Sequence, residues 1–588
     1  MKKLILSFLM TLIVICFVSA QDVQFSENLM HAYNKGKTNA LKKDASIKDH
    51  LWLTPILQLA LTNWDRLTPE AKQFFNGYRN RPTIANEQLL NLGNFRFHYT
   101  TTSGDPDIDV DATDNDSNGV PDYIDNMADI FVNMIFDDDH TTMGLSVPPP
   151  DGTTGGNALY DVYVSAAEAG SGVYGFVAAE TQIGDNPNST GLTETDAMTS
   201  YMVMRSNYSG FSGGTDTCIS VTAAHEYFHA IQNGYNSEMG IWLMEMTAPW
   251  AEDYNFSGYD DNFQYLMGVF GTPDIAMNLN DNDDPDGLGG HWYATWIFWK
   301  YVTEQTDDNI TKSVFERTVT NDDIDAIDNE LTTNWSSDFS TMFEQFLISN
   351  IIMDSATAYD PYIYWRAPDY ENYITNNGDQ KWEDNITYSG SPSTWSSTTN
   401  GNKRLMRLSA DYFDITSSQD FSVTLTPTNT SADLDIVFVK QNTTNETIDV
   451  VNSTQVGNSY VVNVTNAGNY DRLIAMVKRF DDTVTDTLSE QYTLNFGALM
   501  SIGEFDKTSF NIYPNPVSEN INLVFNEGNN CQAIKIIDLL GNVVTEYKNL
   551  SGDKSLSLNV SGLSNGTYFI SVIENDGKIE TEKLFILH

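Results

Sequence analysis

The chain has 588 residues, enough for three or four domains, and 41% of them are hydrophobic, ample material for large cores. Its 80 acidic and 31 basic residues leave a net charge of −49, which repels phosphate backbones and argues against a nucleic-acid-binding role. Cys16 falls in a leader-like start, and Cys218 and Cys531 lie more than 300 residues apart, so disulfides are not expected to hold the fold together.

Met1-Lys2-Lys3 is a basic start, Leu4 to Val18 an apolar run, and Val18-Ser19-Ala20 offers small residues for cleavage, so residues 1–20 read as a secretory signal peptide. A lipoprotein reading through Cys16 is disfavoured by bulky Ile15 and Phe17. No later segment approaches the roughly 20 apolar residues of a membrane span, which predicts a soluble mature chain. Residues 21–90 mix helical stretches with polar linkers and are either a prodomain or the first packed layer of the next domain. Within them, residues 68–78 predict a helix with Thr68 as cap and Pro69 in its first turn.

A domain is expected over residues 91–380. Residues 94–100, NFRFHYT, alternate like a strand, and His98 reads as a strand histidine. Asp114, Asp116, Asn118, Asp122 and Asp125 then place oxygen side chains at positions 1, 3, 5, 9 and 12 of a loop with Gly119 at position 6, the pattern of a calcium loop. Asp125 stands where a longer glutamate is usual and Pro121 occupies position 8; the alternative is a polar turn before a helix over 122–135. Strands are predicted over 161–165, 173–178 and 200–205, the last as a candidate to pair with an extended substrate. A helix should follow from about Thr217 to Asn233 and stop at Gly234.

That helix carries His225-Glu226-Tyr227-Phe228-His229, an H-E-x-x-H pattern. Residues four apart share a helix face, so His225 and His229 can offer imidazole nitrogens to one zinc ion, with Glu226 beside the metal as general base. Glu245, sixteen residues after His229, is the expected third ligand, with Glu238 as its rival; Glu252 is placed to orient a ligand histidine. Such a site lowers the pKa of a zinc-held water from about 15.7 towards 7. Tyr293 and His291, after a glycine-rich turn, are the two candidates to stabilise the oxyanion. The acidic loop at Asn280–Asp286 is a second possible calcium site, with irregular spacing.

HEYFH followed by WLME, with Glu252 seven positions beyond Glu245, resembles the gluzincin metallopeptidases, in which two histidines and a downstream glutamate bind zinc. Met246 stands where a glycine is common, and the aminopeptidase exopeptidase motif is not apparent. The HYT strand, the D-x-D-x-N-G-x-P-D loop and the AHEYFHA helix are similar to a group of secreted bacterial metalloproteases over roughly residues 90–350. The resemblance implies an α+β zincin-like catalytic domain.

Residues 386–500 are rich in Thr, Ser and Asn with period-two alternation, which predicts an antiparallel β-sandwich acting as a spacer. Residues 508–588 resemble the C-terminal sorting domain of type IX secretion cargo, an Ig-like β-sandwich, on Tyr513-Pro514-Asn515-Pro516, Asp538 with Gly541, Gly566-Thr567-Tyr568 and the strand around Lys583. That implies export through the periplasm and outer membrane to the surface or medium, with the type IX machinery as partner. The combined expectation is a multidomain, monomeric, secreted zinc endopeptidase acting on proteins or peptides. The alternative is a non-catalytic, calcium-dependent surface adhesin or glycan-binding protein.

Overall fold

The computed structural model describes residues 19–40, 53–169, 173–211, 213–279, 291–400, 405–480, 490–499, 510–525, 531–538, 542–548, 554–574 and 579–588. The apolar run of the expected signal peptide, the Asn280–Asp286 loop and Gly541 lie outside them. Among the described residues no helix is long and apolar enough to cross a membrane. One compact unit extends to Ala498, and Leu499–His588 form a second.

In chain order the first unit opens with helices α1 (Ala20–Ala40), α2 (Leu53–Thr62) and α3 (Pro69–Phe75). Thr68 caps α3 as expected, accepting a hydrogen bond from the Ala71 N–H. Strands β1 (Gln88–Leu92) and β2 (Phe95–Tyr99), helix α4 (Asp122–Ile130), and strands β3 (Tyr160–Val164), β4 (Gly175–Gly184) and β5 (Ala197–Met204) follow. The helix expected over 122–135 is α-helical only to Ile130 and then widens into π-type turns from Phe131. The strands form one sheet in the order β1-β2-β3-β5-β4, with β2, β3 and β5 parallel and β1 and β4 antiparallel at the edges.

Every residue of β5 is buried, as expected of a strand covered on both faces. Met202 and Met204 enter the core shared with the following helices, whereas Tyr201 and Val203 join Leu29, Leu57 and Phe75 of α1, α2 and α3. The N-terminal segment is therefore a packed layer on the second face of the sheet.

Helix α5 (Thr215–Tyr235) lies on the other face and is buried from Cys218 to its end. It runs through Gly234, where a glycine stop was expected. A Cβ there would stand 3.1 Å from Asn186 Nδ2 and from Pro149 Cδ, so Gly234 serves close packing rather than termination. Helix α6 (Ile241–Asn255) returns against α5 and contains Pro249, which cannot donate to the carbonyl of Glu245 one turn back. Further helices, including Trp296–Gln305 and Phe339–Ile352, complete this layer.

The described residues between 384 and 497 form two five-stranded, largely antiparallel sheets around a core of Phe413, Phe421, Leu425, Phe438 and Leu494. The spacer expected here is not detached from the helices. Tyr412, Val437, Ile474 and Met476 on the outer face of one sheet share the core of Phe346 and Leu347, and the Tyr412 hydroxyl donates to the Leu347 carbonyl at 3.2 Å. The described residues of the second unit form a pair of antiparallel sheets, of three and four strands, packed around Phe510, Leu523, Ile534, Ile570 and Leu584.

Candidate metal centre

His225 and His229 leave the same face of α5, their ring centroids 4.9 Å apart, and α6 brings Glu245 opposite them. One ligand atom from each of the three residues lies within 4.8 Å of the others. His229 and Glu245 are fully buried. His229 Nε2 and both carboxylate oxygens of Glu245 make no hydrogen bond, although an unsatisfied buried polar atom costs about 1–3 kcal/mol. The separations, 3.4 Å from His229 Nε2 to Glu245 Oε1 and 3.6 Å from His225 Nε2 to Glu245 Oε2, suit convergence on a common cation better than direct pairing. A two-nitrogen, one-carboxylate donor set is the set a catalytic zinc ion takes.

Hydrogen bonds outside this cluster set the ring tautomers. Gln232 Nε2 donates to the Met244 carbonyl at 3.0 Å and to Thr247 Oγ1 at 2.9 Å, and a carbonyl only accepts. The amide oxygen of Gln232 must then face His229 Nδ1, at 2.8 Å, which places the ring proton on Nδ1 and leaves the Nε2 lone pair toward Glu245. On His225, Nδ1 meets Glu252 Oε1 at 2.7 Å, so Nε2 is the atom offered to the centre. Burial opposes protonation of His225, but with no metal bound Glu245 and Glu252 outweigh it and raise the ring to about 10. Burial pushes Glu252 up to about 7 against the pull of His225.

Glu226 sits one residue round the helix, buried, with the Thr54 hydroxyl donating to its Oε2 at 2.8 Å. Burial raises its carboxyl above the ordinary range, opposed by His225 and His229. It opens with His225 onto a cleft lined also by Leu53, Tyr174, Tyr265 and Tyr293.

Of the two oxyanion candidates, Tyr293 lies in this cleft, its ring parallel to His225 with centroids 5.5 Å apart. Burial, then the charge of Glu245, pushes its hydroxyl well above the usual phenol range, so it stays a donor. His291 does not line the cleft. It borders a small apolar cavity with Val269, Phe343 and Tyr412, and burial lowers it to about 4. Glu238 is exposed in the turn after α5, whereas Glu245 is the carboxylate grouped with His225 and His229. The expected substrate strand, 200–205, falls in β5, whose two edges are occupied by β3 and β4; it has none left for a peptide.

In the acidic loop, Asp114, Asp116 and Asp122 each bring one oxygen within 4.8 Å of the others, and Gly119 adopts φ +91° at the turn. Asp125 stands apart from that trio and accepts from Asn118 Nδ2 at 2.9 Å. His98 is buried between Asp161 and Glu87, as a strand histidine. A third acidic group, Asp274, Glu383 and Asp411, holds a cation of its own: Lys381 Nζ lies 2.6 Å from Asp274 and 3.3 Å from Glu383.

Thr54 and Gln232 were not among the residues expected from sequence. Gln232 carries a readable signal, being three positions after His229 on the same helix; Thr54, 172 residues from Glu226, carries none.

Residues 511–587 match the family of the secretion system C-terminal sorting domain. The chain thus carries a type IX secretion sorting domain at this end, which marks it for export to the cell surface or medium and implies contact with the secretion machinery. No curated protein matches the chain. Among solved structures, a biofilm-associated protein BSP domain aligns over 29% of this chain and 45% of that one at 10% identity, with a TM-score of 0.12. A likeness of that size carries no argument about fold or activity.

Proposed function

We propose that the exported chain is a zinc-dependent endopeptidase with an α+β zincin-like catalytic domain, in which His225, His229 and Glu245 hold the metal. The observation that carries this reading is the buried convergence of their donor atoms beside Glu226, with His229 Nε2 and both Glu245 oxygens lacking hydrogen bonds. When bound, zinc supplies a Lewis acid that activates water and polarises a scissile carbonyl.

The chain's own groups do the rest. Glu226 takes the proton of the attacking water at its carboxylate and passes it to the leaving amine. Tyr293 donates its hydroxyl proton in a hydrogen bond to the developing oxyanion. Glu252 and Gln232 hold the two imidazoles in the tautomers that present Nε2. Tyr174, Tyr265 and Tyr293 wall the cleft beside these groups.

Purified protein is expected to contain about one zinc per chain, and to cleave casein internally until a chelator removes it. Zinc-free protein that binds surfaces without cleaving any peptide would favour the adhesin reading instead.

A structural calcium ion is proposed for Asp114, Asp116 and Asp122, with Asn118 and Asp125 alongside. Added calcium should raise the thermal midpoint and protease resistance of the wild-type protein but not of Asp116→Ala. The same response in both proteins would mark an ordinary polar turn.

A further inference from the structure

Thr54 reaches the centre from the N-terminal layer. It is the second residue of α2, 3% exposed, and its hydroxyl has two partners. Oγ1 lies 3.2 Å from the Val177 backbone nitrogen on the edge strand β4 and 2.8 Å from Glu226 Oε2. The Val177 N–H can only donate, so the hydroxyl accepts there, and its single proton is committed to the carboxylate. The result is a short relay from the strand backbone through the hydroxyl to the base.

The placement is braced on both sides. Gln58, one turn further along α2, donates to Asn233 Oδ1 at 2.7 Å and to the Ser237 carbonyl at 2.9 Å. Asn233 is seven residues, two helical turns, beyond Glu226, so α2 is registered against the same helix that carries the base. Leu57, Ala60 and Leu61 bury the rest of α2 with Phe176 and Ala178 of β4.

We infer that Thr54 is a positioning residue for Glu226: it fixes one carboxylate oxygen, leaves Oε1 to face the reacting water, and makes residues 53–62 part of the working site rather than a removable leader. This rests on the peptidase reading above. Hydrogen bonds to a charged group carry enough energy that losing this one should lower kcat by about 10- to 100-fold, with KM held within about twofold.

The test compares wild type with Thr54→Val, which keeps the shape and removes the hydroxyl, and Thr54→Ser, which keeps the hydroxyl. Thr54→Ala serves as a second deletion should valine not be accommodated. On an internally quenched peptide, Val and Ala should show the fall in kcat and Ser should restore most of it, at equal zinc content throughout. Independently of turnover, the infrared carboxylate band assigned to Glu226 by its loss in Glu226→Gln should move to higher frequency in Val and Ala and stay in place in Ser. Unchanged or raised kcat together with an unmoved band overturns the inference. If wild type cleaves nothing, the peptidase reading falls, and the infrared band alone still decides whether Thr54 holds Glu226.

Discussion

Replacing Glu226 with glutamine is expected to lower peptide hydrolysis by about 10²- to 10⁴-fold while the zinc content stays at the wild-type level. Glutamine matches glutamate in shape and can still meet the Thr54 hydroxyl through its amide oxygen, so the cleft need not rearrange. His225, His229 and Glu245 are untouched, and their donor atoms converge without help from Glu226. What disappears is a carboxylate able to accept a proton. Burial raises the proton affinity of Glu226, bringing it toward the range in which a base both deprotonates water and returns the proton to the amine. His229→Ala makes the complementary case: zinc content and turnover should fall together, because Glu245 then lacks one of its two partners at the centre. Turnover by a zinc-loaded Glu226→Gln protein at the wild-type rate would sink the assignment of the base.

The two imidazoles were legible in sequence because helix geometry alone brings residues four apart together. Glu245 and Glu252 were legible because a turn of suitable length returns a second apolar segment to the first. The hydrogen bond that His225 Nδ1 donates to Glu252 has the predicted partners, at 2.7 Å. The pattern failed where tertiary packing overrode local signals. Gly234 reads as a helix stop, yet α5 ends one residue past it at Tyr235, and a Cβ at Gly234 would crowd Asn186 and Pro149. His291 and Tyr293 stood even in sequence. Two residues, about half a helical turn, separate their directions, toward an apolar cavity for one and the cleft for the other. The strand at 200–205 was recognisable by its apolar residues, but strand order is a long-range property, and only the fold places β4 rather than β5 at the edge. Most remote was the role of residues 21–90, which no local spacing could tie to Glu226.

That tie makes the second large effect one of stability, at Arg81. Its side chain is 9% exposed and meets three carboxylates of the sheet domain. It engages Glu180 through two parallel bonds, Nε to Oε1 at 2.8 Å and Nη2 to Oε2 at 2.6 Å, and also binds Asp161 and Asp151. Gly155 makes room for it: at φ +75° that residue passes so close that a Cβ would collide with Asp161 and with Nη1 of Arg81. Arg81→Met would keep the apolar stem but leave the three acids without their shared cation. Breaking a buried pair from one side costs about 3–5 kcal/mol, because the remaining charge stays desolvated. Arg81→Lys should recover only part of this, since one ammonium cannot reproduce the bidentate contact with Glu180. The control is Arg66, whose side chain is 52% exposed against Asp22; Arg66→Ala should cost far less than Arg81→Met. Denaturant titration of the three variants separates the cases. If Arg81→Met loses no more than Arg66→Ala, the network does not hold the N-terminal layer to the sheet. If it loses the larger amount, turnover measured well below its unfolding midpoint should survive, because Arg81 touches neither Glu226 nor the three proposed zinc ligands.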